Sequence, residues 1–172
     1  MTYNLTVADL AKRLSKVTGL GEPYHARQMR AQIREGALAS PIRGGSGPTA
    51  PVLFDETGVA RAMILHTLAM IGLEMPLLRQ AAKASEVLAP WLKKNGFAPS
   101  EGVARALWAI SSQKDAKMYL HLSVGQWPGD EGEISIGGWV SDQVEPYNVP
   151  VAPSLIDISL PLHTVLKPLL EA

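Results

Sequence analysis

The chain has 172 residues, 16 basic and 16 acidic side chains, and no cysteine. Its length allows one medium domain or two small ones, and 47% hydrophobic with 19% charged residues excludes wholesale disorder. Without cysteine, disulfides, iron–sulfur clusters, thiolate zinc sites and cysteine nucleophiles are excluded. No apolar run approaches the roughly 18 residues that cross a bilayer, and no signal-peptide pattern begins the chain. We therefore expect a soluble, cytoplasmic protein without a membrane partner.

Charge is unevenly distributed along the chain. Residues 1–50 contain seven basic and three acidic side chains (net +4). Residues 51–88 contain three basic and four acidic side chains (net −1). Residues 89–172 contain six basic and nine acidic side chains (net −3). A basic amino-terminal part before an acidic remainder is typical of a protein whose one end meets a polyanion.

The first element predicted in the chain is a helix. Thr6 and Asp9 have the spacing of a capping box, and apolar residues follow at helical spacing as far as Val17. Glycine and proline are dense at 18–23, which predicts a turn or loop.

A second helix is predicted from Tyr24 to Glu35, with Gly36 as its carboxyl-terminal cap. Two stripes run along it at three- and four-residue steps. The apolar stripe consists of Ala26, Met29 and Ile33, and the neighbouring basic stripe of Arg27, Arg30 and Arg34.

A hairpin and two further helices are predicted next. Residues 40–51 are too rich in glycine and proline for a helix, so Ala37–Leu38 and Val52–Phe54 are expected to form two short strands around a flexible tip. Asp55 is expected to cap a third, largely apolar helix that ends at Gly72, and Pro76 opens a fourth.

The remainder of the chain predicts a small α+β domain. A helix is expected from Ser100 to about Ser111, and alternating apolar residues predict three strands, near 118–124, 134–140 and 156–160. We place the boundary between the two parts near residues 89–99, giving domains at 1–88 and 89–172.

Three segments together resemble the DNA-binding domain of MerR-family transcription regulators. They are VADLAKR at 7–13, HARQMRAQIREGAL at 25–38 and VLFD at 52–55. Val59–Arg61 and Gly72–Leu73 resemble the next two helices of that family, so the resemblance covers about residues 3–88. It implies an α+β fold that begins with a winged helix-turn-helix.

The resemblance also implies how DNA is bound. In a helix-turn-helix the second helix enters the major groove, where the planar fork of arginine bonds phosphates and base edges. Arg30 stands where the family has a backbone-contacting arginine. The expected DNA-contacting residues are Lys12, Arg13, Lys16, His25, Arg27, Gln28, Arg30, Arg34 and Arg43.

This sequence departs from the family pattern at three places. The segment between Leu14 and Tyr24 is longer than the usual turn, and Pro51–Val52 replaces a Tyr-Arg pair of the wing, for which Arg43 could compensate. Pro90, Gly96 and Pro99 interrupt the position of the family's long dimerisation helix, and the absence of cysteine excludes classical metal sensing. We therefore expect residues 89–172 to dimerise the protein, bind an effector or contact a partner protein.

The sequence does not predict an enzyme, a cofactor or a metal site. Its four histidines show no metal-ligand spacing, and no P-loop, dinucleotide or G-x-S-x-G pattern is present. His66 is expected to be a core histidine, and His121 to lie on the outer, surface side of a strand.

The hypothesis is therefore a sequence-specific transcription regulator of bacterial or phage type that binds double-stranded DNA as a homodimer. Two alternatives stay open. One is an excisionase-like architectural or recombination factor that shares the winged fold. The other is a winged-helix adaptor that binds proteins and no DNA.

Overall fold

The structure is a computed structural model that describes residues 4–39, 42–47, 49–89, 92, 101–113, 115–125, 134–143 and 154–171. Within these ranges the protein is an α+β fold with six helices, a two-stranded sheet and a three-stranded antiparallel sheet. The helices are α1 (Val7–Thr18), α2 (Glu22–Arg34), α3 (Glu56–Met70), α4 (Met75–Glu86), α5 (Gly102–Ser112) and α6 (Leu162–Glu171). The strands are β1 (Ile42–Arg43), β2 (Val52–Leu53), β3 (Tyr119–Gly125), β4 (Ser135–Ser141) and β5 (Ser154–Pro161).

Helix α1 begins and ends as its sequence predicts. The Thr6 side chain accepts from the Asp9 amide, and the Asp9 carboxylate accepts from the Thr6 amide at 2.8 Å, which completes the capping box. The Thr6 hydroxyl also donates to the Asp9 carboxylate at 2.7 Å, and this bond, followed by the one from the Thr6 amide, lowers the pKa of Asp9. The helix continues to Thr18, and Gly19 closes it with φ +74°. The predicted long insertion is therefore mostly helix, and the turn between α1 and α2 is short.

Helix α2 ends in a Schellman motif. Gly36 adopts φ +74°, its amide bonds the Ile33 carbonyl, and the amide of Ala37 bonds the Gln32 carbonyl at 2.8 Å. Ala37 and Leu38 are then buried in the core. The expectation that these two residues form the first strand of the hairpin was wrong, because their amides close the helix instead.

The hairpin is formed farther along the chain. Ile42 pairs with Leu53 and Arg43 with Val52. After this short ladder, Phe54 exchanges backbone hydrogen bonds with Leu5, so the segment before α1 lies against the end of β2. Pro48, within the predicted tip, lies outside the described residues.

Helix α3 lies at the centre of the molecule. Asp55 caps its first turn by accepting from the Gly58 amide at 2.8 Å, as predicted. Ten of its residues are buried, and it contacts α1, α4, α5 and α6. A largely apolar helix favours this central position, because most of its circumference must be shielded from water.

The three-stranded sheet has the order β4–β3–β5, and both pairings are antiparallel. Leu120 lies opposite Val140 and Leu160, and all three side chains are buried on the face that joins the core. The three predicted strands are confirmed. Helix α5 is also confirmed from Gly102, whereas its predicted cap Ser100 lies outside the described residues. Helix α6 was not predicted.

Direct backbone contacts connect the two parts of the chain. The Val140 amide bonds the Val87 carbonyl at 2.7 Å, and the Ala89 amide bonds the Val140 carbonyl at 2.9 Å. One cluster of buried side chains includes residues from both parts. Most of the predicted boundary at 89–99 lies outside the described residues, and the division into two domains stays a prediction.

A search of the described helices finds none that is both long enough and apolar enough to cross a membrane.

Candidate nucleic-acid interface

Helix α2 has one buried and one exposed face. Its buried residues are His25, Met29 and Gln32, which recur at helical spacing. Arg27, Arg30 and Arg34 lie on the opposite side of the helix and are exposed. The three predicted guanidinium groups therefore share one exposed helix face.

Two of these arginines have no partner in the part of the chain that the structure describes. Among the described residues, Arg27 and Arg30 form no hydrogen bond or ion pair. The Nε of Arg34 lies 3.1 Å from Oε1 of Glu35, and both side chains are largely exposed. An exposed pair of this kind contributes about 0–1 kcal/mol, so it holds Arg34 only weakly.

The basic residues of α1 add further positive charge. Lys12 and Lys16 are exposed. Nη1 of Arg13 contacts both carboxylate oxygens of Glu56, at 2.9 and 2.7 Å, and these side chains are 39% and 68% exposed. Sequence reasoning missed Glu56, because it lies 43 residues away on α3 and no local pattern joins it to Arg13.

Arg43 is exposed on strand β1 of the hairpin. The hairpin is short, and the Gly44 amide closes it on the Pro51 carbonyl at 2.8 Å. Gly45 and Gly47 adopt φ +158° and +115° near its tip, and the second value requires glycine.

His25 does not contribute to the exposed face. Its side chain is 1% exposed, and Nε2 lies 2.7 Å from the Thr18 hydroxyl. The Thr18 hydroxyl donates its proton to the Leu14 carbonyl at 2.8 Å, so we infer that Nε2 of His25 carries a hydrogen and donates it to Thr18. The expectation that His25 contacts DNA is corrected on this ground: the ring ties α2 to α1. Gln28, three residues after His25, is half-buried.

A cluster of three rings lies where α2 meets α3. The His25 and His66 rings are 4.9 Å apart, and Tyr24 contacts both edge-on. Burial lowers the pKa of His25 and of His66, and the neighbouring His66 ring lowers that of His25 further. The prediction that His66 is a core histidine is confirmed. The cluster holds α2 against α3 with two neutral rings.

His121 is buried, contrary to expectation. It is 2% exposed, and Nε2 lies 2.9 Å from the Gln143 carbonyl, which can only accept. Nε2 therefore donates to Gln143, and in the neutral ring Nδ1 accepts from the Ser159 hydroxyl at 2.9 Å, while Ser141 lies 3.1 Å from Nε2. Burial lowers the pKa of His121, and the hydrogen bond to Gln143 opposes this. Alternation placed His121 on the correct face of β3, but did not show that this face is covered.

Comparison of the sequence with protein-family models finds no match, and no curated protein is significantly similar to it.

Proposed function

We propose that the protein is a sequence-specific transcription regulator that binds double-stranded DNA as a homodimer. Helix α2 lies in the major groove, and the β1–β2 hairpin acts as a wing beside it. The single observation that carries this proposal is the exposed arginine face of α2, where Arg27 and Arg30 have no partner among the described residues.

The order of elements supports a winged helix-turn-helix. Helix α1, a short turn and helix α2 are followed by the hairpin and then by α3. The bridge between Leu5 and Phe54 attaches the base of the hairpin to the start of α1. This attachment holds the base of the hairpin at the start of α1, which supports the proposal that the hairpin acts as a wing.

The distribution of charge supports the same function. Arginines on α2 supply planar donors for base edges and phosphates, while Lys12 and Lys16 on α1 are exposed cations for the DNA backbone. One recognition helix covers only a few base pairs, so a second copy is needed for useful specificity.

Affinity for DNA as a function of salt tests the proposal. Duplexes selected from random-sequence DNA by the protein are titrated by fluorescence anisotropy at several salt concentrations. Because each phosphate contact releases a counterion, affinity should fall steeply with salt, with a log–log slope of about −0.9 per contact. Binding that is absent at low salt, or insensitive to salt, contradicts the proposal and favours the protein adaptor.

Arg30→Ala tests the position of α2. We expect a loss of about 1–3 kcal/mol in binding free energy and a shallower salt slope. Arg79→Ala is the matched control, because Arg79 is an exposed arginine on α4, outside the proposed interface. Equal effects of the two substitutions contradict the placement. Genomic footprints then separate promoters, which support regulation, from attachment sites, which favour the excisionase-like alternative.

A further inference from the structure

A cavity lies between helices α1 and α3 on one side and the carboxyl-terminal helices α5 and α6 on the other. Its volume is about 410 Å³, and α1, α3, α5 and α6 each supply part of its wall. A second cavity of about 490 Å³ adjoins it, because Ser111 and Leu170 line both. Cavities of this size accommodate small organic molecules.

The inner wall of the first cavity is apolar. Val59 and Ala60 are buried at its base on α3. Trp108 and Leu170 lie at its edge and remain 46% and 45% exposed. The Arg105 guanidinium lies 4.5 Å from the centroid of the Trp108 ring. Covering these large apolar side chains is favourable, so the wall suits an aromatic ligand.

Arg13 provides the polar end of this cavity. Its Nη1 atom makes both contacts to Glu56, whereas Nε and Nη2 form no hydrogen bond to the described part of the chain. A guanidinium has donors and no acceptor, so the ligand group that meets it must accept hydrogen bonds. The planar carboxylate is the group that matches a guanidinium edge with two parallel hydrogen bonds.

We propose that this cavity binds a small aromatic carboxylate, with its ring against Trp108 and its carboxylate on Arg13. The ligand would contact α1 and α5 at once, and would thereby connect α1 to the carboxyl-terminal part. Binding of the small molecule does not require DNA, so it is measured with the protein and the small molecule alone.

Isothermal titration calorimetry of the full chain with naphthalene-2-acetate tests the proposal by measuring the dissociation constant. Naphthalene-2-acetamide is the neutral analogue. We expect the acid to bind at least about tenfold more tightly than the amide, because a charge-assisted hydrogen bond is stronger than a neutral one. Arg13→Gln should weaken the acid about tenfold and leave the amide unchanged. Arg27→Gln, which makes the same charge change on the exposed face of α2, should alter neither affinity.

Trp108→Ala provides the second arm and should weaken the acid and the amide alike. Arg13 and Trp108 are both partly exposed, so each variant is expected to fold, and circular dichroism checks this. Three results would overturn the proposal: no binding of the acid at millimolar concentration, equal binding by Arg13→Gln, or a preference for naphthalene-2-methylamine. The last result would assign the polar end to Glu56.

Discussion

Helix α2 and strand β3 each have polar side chains that face away from the core. These side chains differ in whether they have hydrogen-bond partners within the described residues. On α2, Arg27 and Arg30 are exposed and have no partner among the described residues. On β3, both ring nitrogens of His121 are hydrogen-bonded, and Ser123 donates to Asp157 at 2.7 Å. One surface keeps its donors available, and the other satisfies them internally.

This difference separates groups that stabilise the fold from groups that can bind a partner. A buried polar atom is costly unless it is paired, so the His121 network must be complete before the sheet is stable. An exposed guanidinium is solvated by water and costs little when unpaired, so nothing in the fold requires three arginines on one face of α2. The predictions that follow test whether this separation is real.

The largest effect is expected at His121. His121→Ala leaves the Gln143 carbonyl without its ring donor and opens a cavity, so the free energy of unfolding should fall by about 2–4 kcal/mol. Urea denaturation followed by circular dichroism measures it, and the folded variant should bind DNA as the parent does. His163→Ala is the control, because His163 is only half-buried and its ring has one hydrogen bond among the described residues, to the Met118 carbonyl. A loss no greater than that of the control would show that the His121 network is not stabilising.

Acidification should destabilise the protein through its buried histidines. The pKa values of His25, His66 and His121 are lower in the folded protein than the ordinary 6.5. The unfolded chain therefore binds more protons below pH 6.5, and stability is constant above that pH and falls below it. The slope should reach about 1.4 kcal/mol per pH unit for each histidine involved.

Urea denaturation at pH 7.5, 6 and 5 measures this slope. All three pH values lie above the range in which carboxylates ordinarily titrate. His66→Gln should make it shallower, because one buried histidine is removed and His25 loses its neighbour. A stability that is flat between pH 7.5 and 5 contradicts the neutral, buried state of these rings.

A smaller effect is expected where α2 is tied to α1. Thr18→Val preserves shape and removes the hydroxyl that bonds His25, so the free energy of unfolding should fall by about 1 kcal/mol. Thr67→Val is the matched control, because the one partner of the Thr67 hydroxyl among the described residues is the Met63 carbonyl of its own helix. If both substitutions have the same effect on urea denaturation, the Thr18–His25 bond does not stabilise the helix pair.

Local patterns predicted most of the secondary structure because local physics determines it. The capping box at Thr6, the cap at Asp55 and the alternation in β3 each follow from neighbouring residues. The first strand of the hairpin was misplaced, because the Schellman motif at Gly36 uses the amide of Ala37. Helix α6 was missed, although its apolar residues are at helical spacing, because Pro168 lies inside it.

The candidate site was predicted in part. Spacing identified the arginine stripe of α2 correctly, since exposure on a helix follows its period. The burial of His25 could not be inferred from apolar pattern alone, because the buried face of α2 includes two polar residues, His25 and Gln32. The Arg13–Glu56 pair depends on how α1 lies against α3, which is a property of tertiary structure.

The smallest expected effect on stability is at Glu56, in an exposed ion pair, and a half-buried pair provides the comparison. Arg61 and Glu86 are 2.6 Å apart and only 20% and 26% exposed, whereas Arg13 and Glu56 are 39% and 68% exposed. Glu86→Gln should therefore lower the free energy of unfolding by about 1–2 kcal/mol, and Glu56→Gln by less than about 0.5 kcal/mol. Glu56→Gln also removes the acid that holds Arg13, so DNA affinity should rise at low salt, because a cation is released and a negative charge is lost. Unchanged or weaker DNA binding by Glu56→Gln would remove Arg13 from the proposed interface while leaving the arginine face of α2 intact.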